Sequence, residues 1–321
     1  MAIDRRGSLF EFFEKDPSPS STVAAPLEGR LRDRVSGDLV AEPIFGEGSL
    51  RWLYEHPLRH GFAPLVTCYP FVSWLYGRRM KHPKSRAMIE PFAETFGVKL
   101  DEAIAPEDGF KTFNDFFVRR LKPAARPFAS EPFRLPCPAD GRIRVYPTLP
   151  AHGRLPIKGC EATLAELMGG SDAARPYEGG SSIVVRLAVQ DAHRFHFPVD
   201  GHVGPSRAIA GRYHSVGPIA LRRVPDVLVR NKRALTEVKT TFGRLAYLEV
   251  GALTVGSIHQ TYSPGPVSRG QEKGYFSFGG STIVLAFEAG AVTFDADLVR
   301  DSAEGIEVIV RAGEPIGRIG P

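Results

Sequence analysis

The chain has 321 residues, of which 43% are hydrophobic and 24% charged, a composition ordinary for a soluble globular protein. This length supports one large domain or two modest ones. The formal net charge of +5 favours an anionic partner, which the charge alone leaves open among a phospholipid surface, nucleic acid and an acidic small molecule.

The three cysteines are widely spaced and form no CxxC pair, which argues against a disulfide scaffold and against a zinc site. A reducing, cytoplasmic environment is therefore expected. Residues 1–15 carry three acidic side chains and lack the apolar core of a signal peptide, so the sequence predicts no export signal.

Residues 1–45 have mixed charge and a Pro/Ser-rich middle, and they are predicted to form a poorly ordered arm. Residues 61–77 form the longest uncharged stretch, which is rich in aromatic side chains and is interrupted by Pro64 and Pro70. The stretch is shorter than the roughly 20 residues that span a bilayer. Basic residues flank it on both sides, a pattern typical of a segment that lies in the headgroup zone. A helical hairpin packed on the core is the alternative.

The helical pattern continues with Ile89, Phe92 and Phe96, which share one face of a helix that Gly97 ends. A second helix is predicted to begin at Thr112 and to bury Phe113, Phe117 and Leu121. Residues 46–127 are thus interpreted as a helical module.

Beyond it, apolar or alternating runs bounded by glycine or proline predict strands at 142–146, 182–189, 245–250, 282–287 and 306–310. A short helix is predicted near 162–168. The fold class is α+β: an N-terminal helical, membrane-associating module followed by a β-rich, sandwich- or barrel-like catalytic domain over residues 128–321.

Three clusters in the β-rich half carry side chains capable of chemistry. Asp140 lies in the turn sequence Pro138-Ala139-Asp140-Gly141, and His193 and His196 follow an apolar strand. Ser281 follows Gly279-Gly280, where glycine leaves a carbonyl open to attack. Asp140, His196 and Ser281 could supply an acid, a base and a nucleophile, although each has an ordinary structural explanation by itself. The chain has no Gly-x-Ser-x-Gly motif around Ser281 and no nucleotide-binding glycine pattern.

In this order and spacing the motifs resemble those of the phosphatidylserine decarboxylase family, from about residue 46 onward. The matching segments include Phe113-Asn114-Asp115-Phe116-Phe117, Arg126-Pro127, Pro138-Ala139-Asp140-Gly141, His193-Arg194-Phe195-His196-Phe197-Pro198, Val250-Gly251-Ala252 and Gly280-Ser281-Thr282. Two positions depart from the family pattern: Gly279 replaces the usual leucine, and Ala192 replaces a tyrosine that often precedes the first histidine.

The resemblance implies a self-processing enzyme that converts phosphatidylserine to phosphatidylethanolamine and carbon dioxide. It implies cleavage between Gly280 and Ser281, Ser281 becoming a pyruvoyl group that forms a Schiff base with the substrate amine. His196, held by Asp140, is expected to be the base for cleavage, and His193 to contact the substrate. No metal or diffusible cofactor is expected.

The resemblance also shifts the interpretation of residues 61–77 toward binding at an anionic membrane surface, and it places the protein peripherally on the cytoplasmic face of the cell membrane. The α and β chains from its own cleavage and phosphatidylserine are the expected partners. A homo-oligomer is possible, and no nucleic acid is expected. Two alternatives stay open: a related pyruvoyl-dependent decarboxylase of a soluble amino acid, and an unprocessed, inactive membrane-associated homologue.

Overall fold

The structure is a computed structural model that describes residues 30–42, 77–149, 154–157, 160–212, 214, 226–251, 258–277 and 281–320. Most of the predicted arm, residues 61–76 of the predicted interfacial segment, and Gly280 lie outside the described residues.

Strands dominate the described part of the chain, and short helices connect them. The strands are β1 (Arg30–Asp33), β2 (Leu39–Ala41), β3 (Arg134–Pro136), β4 (Gly141–Tyr146), β5 (Arg154–Ile157), β6 (Cys160–Thr163), β7 (Ser181–Leu187), β8 (Arg194–His196), β9 (Gly201–Val203), β10 (Arg207–Ile209), β11 (Arg233–Thr240), β12 (Gly243–Val250), β13 (Ile258–Gln260), β14 (Gly265–Val267), β15 (Glu272–Phe276), β16 (Ser281–Phe287), β17 (Val292–Phe294), β18 (Glu307–Val310) and β19 (Pro315–Ile319). The α-helices are α1 (Ile89–Phe96), α2 (Phe113–Phe117), α3 (Leu164–Met168), α4 (Ser171–Ala174), α5 (Val227–Arg230) and α6 (Ala296–Ala303). Short 3₁₀ helices span Pro83–Met88, Leu100–Glu102, Pro123–Ala125 and Arg175–Tyr177.

One large sheet forms the centre of the fold, with the strand order β14-β9-β11-β12-β16-β7-β4-β18-β1-β2 and β10 beside β11. Its middle strands β12, β16, β7 and β4 pair antiparallel, whereas β1 pairs with β18 in parallel. A separate three-stranded sheet, β13-β15-β8, carries the segment with the two predicted histidines. The fold is therefore a mixed α+β fold built on a large β-sheet.

Both faces of the large sheet are covered. Alternate residues of β7 and β16, such as Val185 and Leu285, belong to one apolar core, and their neighbours Val184 and Val284 belong to a second core on the opposite face. Every residue of β7 and β16 is buried. This double burial explains why the sequence shows continuous apolar runs at these positions instead of alternation.

The five strands predicted from the β-rich half are confirmed, and so is the helix that Gly97 ends, with Gly97 in the left-handed region at φ 65°. The helix beginning after Thr112 is shorter than predicted. It ends at Phe117, because the chain then extends and Leu121 forms a β-bridge with Ala103 instead of occupying a helical face.

The predicted arm needs a correction over residues 30–42, which form the β1–β2 hairpin at one edge of the large sheet. Arg34 anchors this hairpin, because its guanidinium pairs with Asp295, Asp297 and Glu314. These partners and β18 lie near the other end of the chain. Local sequence patterns carry no signal for such distant pairing, which is why the prediction extended the arm to residue 45.

The described helical residues between 77 and 127 pack around aromatic side chains. Met80, Ile89, Phe92, Phe113, Phe116 and Phe117 form a third apolar cluster. Within the ranges given above, no helix combines the length and apolar character needed to cross a membrane.

A fully buried ion pair joins β12 to β15. The ammonium of Lys273 donates to the carboxylate of Glu249, to Gln260 Oε1 at 2.9 Å and to Thr236 Oγ1 at 3.1 Å. Both charged side chains are 0% exposed. Four aromatic rings surround the ammonium within 6 Å of their centroids, those of Phe195, Phe197, Tyr247 and Tyr262. The pair thus fixes β15, and with it the neighbouring β8, to the large sheet.

We expect Lys273→Met to lower the free energy of unfolding by about 3–5 kcal/mol, because it leaves the Glu249 carboxylate buried without a cation. The double variant Lys273→Met/Glu249→Gln is expected to recover most of this loss, since it removes both charges. Urea unfolding followed by far-UV circular dichroism measures both. Equal destabilisation in the single and double variants would contradict the assignment of the loss to an unpaired charge.

Candidate active site

The central strands bring distant segments to one end of the large sheet. Ser281, the first residue of β16, lies opposite Leu187, the last residue of β7. Its neighbour Thr282 lies opposite Val250, the last residue of β12. Asp140 directly precedes β4, which pairs with β7 through Arg142 and Arg186. Asp140, Ser281 and the loop that leaves β7 therefore lie at the same end of the sheet.

The two histidines reach this end on β8 and on the residue before it, since His196 is the last residue of β8 and His193 directly precedes the strand. The backbone N–H of His196 donates to the carbonyl of Pro138 at 2.9 Å, and the N–H of Phe276 donates to the carbonyl of His193 at 2.9 Å. The histidine segment thus lies between the turn that carries Asp140 and the strand that leads toward Ser281. All four predicted site residues share one region of the fold.

Ser281 is fully buried, and its hydroxyl has no hydrogen-bond partner among the described residues. A buried hydroxyl without a partner costs about 1–3 kcal/mol, so natural proteins rarely keep one without a functional reason. A reactive role for the Ser281 hydroxyl would explain why the protein keeps it despite this cost.

Asp140 is held by an arginine that the sequence analysis left without a role. Both carboxylate oxygens accept from Arg126, at 2.8 Å from Nε and 2.8 Å from Nη2, and the N–H of Ala312 donates to Oδ1 at 2.8 Å. Arg126 also donates to Glu102 at 2.8 Å. This guanidinium fork fixes the orientation of the Asp140 carboxylate.

The sequence predicts that Asp140 holds His196, but the two side chains form no hydrogen bond in this structure. Nδ1 of His196 is buried and has no hydrogen-bond partner within the described ranges. The physical reason is that Arg126 and Ala312 take the Asp140 oxygens. Asp140 thus acts on His196 through its charge.

His196 is half-buried, and burial lowers the pKa of its imidazole below the ordinary value. The carbonyl of Pro138 and the carboxylates of Glu272 and Asp140 oppose this shift, while Arg194 adds to it. The ring also packs edge-on against Phe128, with centroids 5.2 Å apart. The imidazole is therefore neutral at neutral pH, the state in which it can accept a proton.

His193 is fully buried and lies against Phe117, with ring centroids 3.9 Å apart. Its Nδ1 donates to the carbonyl of Asp191 at 2.9 Å, which selects the ring orientation. Asp191 is itself fixed, because its carboxylate pairs with Arg142 and accepts from the N–H of Ala188 at 2.7 Å. His193 is thus the more rigidly held of the two histidines.

Gly141 explains why the turn after Asp140 carries glycine. A Cβ at this position would lie 2.7 Å from Val185 Cγ1 and 2.8 Å from the Arg186 carbonyl oxygen. Only glycine permits β4 to approach β7 this closely. The close approach sets where Asp140 lies.

Sequence reasoning missed Arg126, Asp191 and Phe117 as parts of the site. Arg126 and Phe117 lie in segments that carried the family resemblance, which was the available signal. Their partners are distant in sequence, so their contacts could not be assigned. The residues described here contain no group of three or more His, Cys, Asp or Glu side chains arranged to hold a metal ion.

Comparison with known protein families finds a match over the region that contains this site. The family model described as phosphatidylserine decarboxylase matches residues 113–318, a span that contains all four predicted site residues. The chain belongs to the phosphatidylserine decarboxylase family. Members of this family depend on a pyruvoyl group, and the buried hydroxyl of Ser281, which has no hydrogen-bond partner among the described residues, fits the precursor of such a group.

Individual family members match over most of their length. Phosphatidylserine decarboxylase proenzyme from Chlamydia muridarum is 40% identical over 288 residues, which cover 89% of this chain and 96% of the relative. The proenzyme from Clostridium novyi is 40% identical over 278 residues, covering 86% and 94%. The proenzyme from Ruminiclostridium cellulolyticum is 44% identical over 235 residues, covering 73% and 78%.

Proposed function

We propose that this chain decarboxylates phosphatidylserine to phosphatidylethanolamine and carbon dioxide, after cleaving itself between Gly280 and Ser281. The observation that carries the proposal is the buried Ser281 hydroxyl, which has no hydrogen-bond partner in the described part of the chain and lies at the same sheet end as Asp140 and the two histidines. The reaction itself is inferred from membership in the phosphatidylserine decarboxylase family.

Self-cleavage uses the chain's own groups. His196, neutral because burial lowers the pKa of its imidazole, takes the proton from the Ser281 hydroxyl. The hydroxyl oxygen attacks the carbonyl carbon of Gly280, and the peptide bond is replaced by an ester. Elimination from Ser281 breaks that ester, and hydrolysis of the resulting dehydroalanine leaves a pyruvoyl group and ammonia. The products are a β chain of residues 1–280 and an α chain of 41 residues, 281–321.

The pyruvoyl group supplies a ketone that bonds to the substrate amine and accepts the electron pair left when carbon dioxide departs. The protein residues bind and orient the substrate around it. His193, fixed by Asp191 and Phe117, is the residue we assign to substrate contact. Asp140, oriented by Arg126, stabilises positive charge on His196 as the imidazole accepts its proton.

Intact-mass analysis of the purified protein tests this proposal. We expect two chains, the smaller being residues 281–321 with a ketone in place of the N-terminal amine and hydroxyl. Ser281→Ala is expected to leave one uncut chain, and His196→Ala or Asp140→Ala is expected to reduce cutting at least about 100-fold, the scale of a general base. Ser268→Ala, an exposed serine, is the matched control and should be cut normally.

An unmodified serine at the start of the small chain would refute formation of the cofactor. Full cutting of the His196→Ala chain would refute the assignment of the base. Release of carbon dioxide from water-soluble amino acids, with none from phosphatidylserine, would favour the amino-acid decarboxylase over the proposed activity.

The pH dependence of self-cleavage reports the protonation of His196. The base must be neutral, so the rate falls as pH decreases through its pKa, which lies below the ordinary imidazole value of about 6.5. Glu272→Gln removes a carboxylate that raises this pKa, so it is expected to shift the midpoint to still lower pH. Newly translated chain, followed by gel from about pH 5 to about pH 8, gives both midpoints. A Glu272→Gln midpoint above that of the wild type would contradict the assignment.

We also propose that the helical module, residues 46–127, meets the membrane. The aromatic stretch at 61–77 carries the proposal, together with the basic residues Arg78, Arg79, Lys81 and Lys84, which the structure describes as exposed. Burial lowers the pKa of the His259 imidazole on β13, and the nearby ammonium of Lys81 lowers it further. Lys81 therefore lies near the small sheet that carries His196. A homo-oligomer stays a prediction, which light scattering of the purified protein can check.

Flotation with vesicles tests the membrane proposal. Binding is expected to anionic phosphatidylglycerol vesicles, to weaken in high salt and to be poor on neutral phosphatidylcholine vesicles. Replacing the four basic residues with glutamine should remove about 1 kcal/mol of binding free energy each. Equal binding to anionic and neutral vesicles would exclude an electrostatic contribution.

A further inference from the structure

Arg119 is a buried cation that forms no salt bridge with a carboxylate among the residues that the structure describes. It follows α2 and is 5% exposed. Its Nη2 donates to the carbonyl of Gln190 at 2.9 Å and its Nη1 to that of Phe116 at 3.3 Å, and the guanidinium lies over the Phe116 ring. Nε has no hydrogen-bond partner among the residues that the structure describes. Burial lowers the pKa of the guanidinium to about 10, so Arg119 stays charged at neutral pH.

Arg119 lines a cleft beside the candidate active site. The cleft has a volume of about 160 Å³ and is also lined by Arg126, Asp140, Asp191, Arg311 and Lys99. This volume is about ten times the ~10–15 Å³ that admits one water molecule, so a small polar group fits. Asp140 and Asp191 belong to the site described above, which places the cleft next to the reacting end of the sheet.

The carboxylates of the cleft are already paired with other cations. Arg126 holds Asp140 and Glu102, and Arg142 holds Asp191. Lys99 and Arg311 are exposed, and the ammonium of Lys99 lies 3.9 Å from Glu102. The cleft therefore presents Arg119 as a buried positive charge, with exposed positive charge near it. An anion is the ligand that this arrangement fits.

The substrate offers two anionic groups, its carboxylate and its phosphodiester. A cation that held the carboxylate would stabilise the ground state more than the transition state, in which that charge moves away from the departing carbon dioxide. A cation that held the phosphodiester would bind both states equally and would orient the headgroup. The phosphodiester is therefore the better match.

We propose that Arg119 binds the phosphodiester of the phospholipid headgroup in this cleft. The inference rests on the proposed function, and it adds a headgroup subsite to it. Arg119 is suited to align the substrate because its Nη2 bonds the backbone of Gln190, in the loop that leads to His193, and because Phe117 of the same segment packs on His193.

The binding test is independent of catalysis. Calorimetry with glycerophosphoserine is done on the uncut Ser281→Ala chain, alone and combined with Arg119→Gln, Arg119→Lys or the control Lys122→Gln. Lys122 is exposed and lies outside the cleft. We expect Arg119→Gln to weaken binding at least about 10-fold, Arg119→Lys to weaken it less because the charge remains, and Lys122→Gln to leave it unchanged. Inorganic phosphate should compete with glycerophosphoserine but bind more weakly.

The activity test uses the wild-type Ser281 background with the same changes at positions 119 and 122. Arg119→Gln is expected to cut itself and to react with phenylhydrazine to the same extent as the wild type, while KM for phosphatidylserine in detergent micelles rises at least about 10-fold and kcat changes little. Arg119→Lys should give an intermediate KM.

Three results would overturn the inference. One is glycerophosphoserine affinity in Arg119→Gln equal to that of its parent chain. Another is loss of cutting in both Arg119 variants, which would assign Arg119 to the structure of the α2 segment. The third is a kcat loss with an unchanged KM. Retained, Arg119-dependent binding without carbon dioxide release would overturn the proposed function and leave the anion subsite in place.

Discussion

The antiparallel pairing of β16 with β7 and β12 is the constraint on which the site depends. Its register sets Ser281 opposite Leu187 and Thr282 opposite Val250. Side chains alternate between the two faces of a strand. A shift of one residue would therefore turn Ser281 toward the opposite face and would move each apolar side chain of β16 from its own core into the other. The two buried cores exclude that shift, so hydrophobic packing determines where the serine lies.

Acids around the site are each bound by a nearby cation. Arg126 fixes Asp140, Arg142 fixes Asp191, and Lys273 pairs with Glu249 inside an aromatic cage. Each arginine holds an acid near a histidine in a defined orientation, while the lysine holds the strands beneath them. The histidines are left neutral or hydrogen-bonded to backbone, which suits proton transfer and substrate contact.

This arrangement modifies the simple picture of an acid, a base and a nucleophile in a hydrogen-bonded chain. In this structure the acid binds an arginine, and it acts on His196 through its charge. Within the described part of the chain, no acid forms a salt bridge with the buried cation Arg119, which lies in the cleft next to these residues. Arg126 and Arg142 are paired with acids and organise the site. Arg119 pairs with no acid among the described residues and is therefore suited to bind an external anion.

The sequence by itself determined the class of fold, the central strands and the candidate residues Asp140, His193, His196 and Ser281. Strand periodicity is local, and short motifs keep their order along the chain. The sequence did not determine that residues 30–42 join the sheet, that α2 ends at Phe117, or that Arg126 takes the Asp140 oxygens. Those features depend on contacts between residues far apart in the chain, such as β1 with β18 and Arg34 with Asp297. Only the tertiary structure decided them, because packing and charge pairing select partners by position in space.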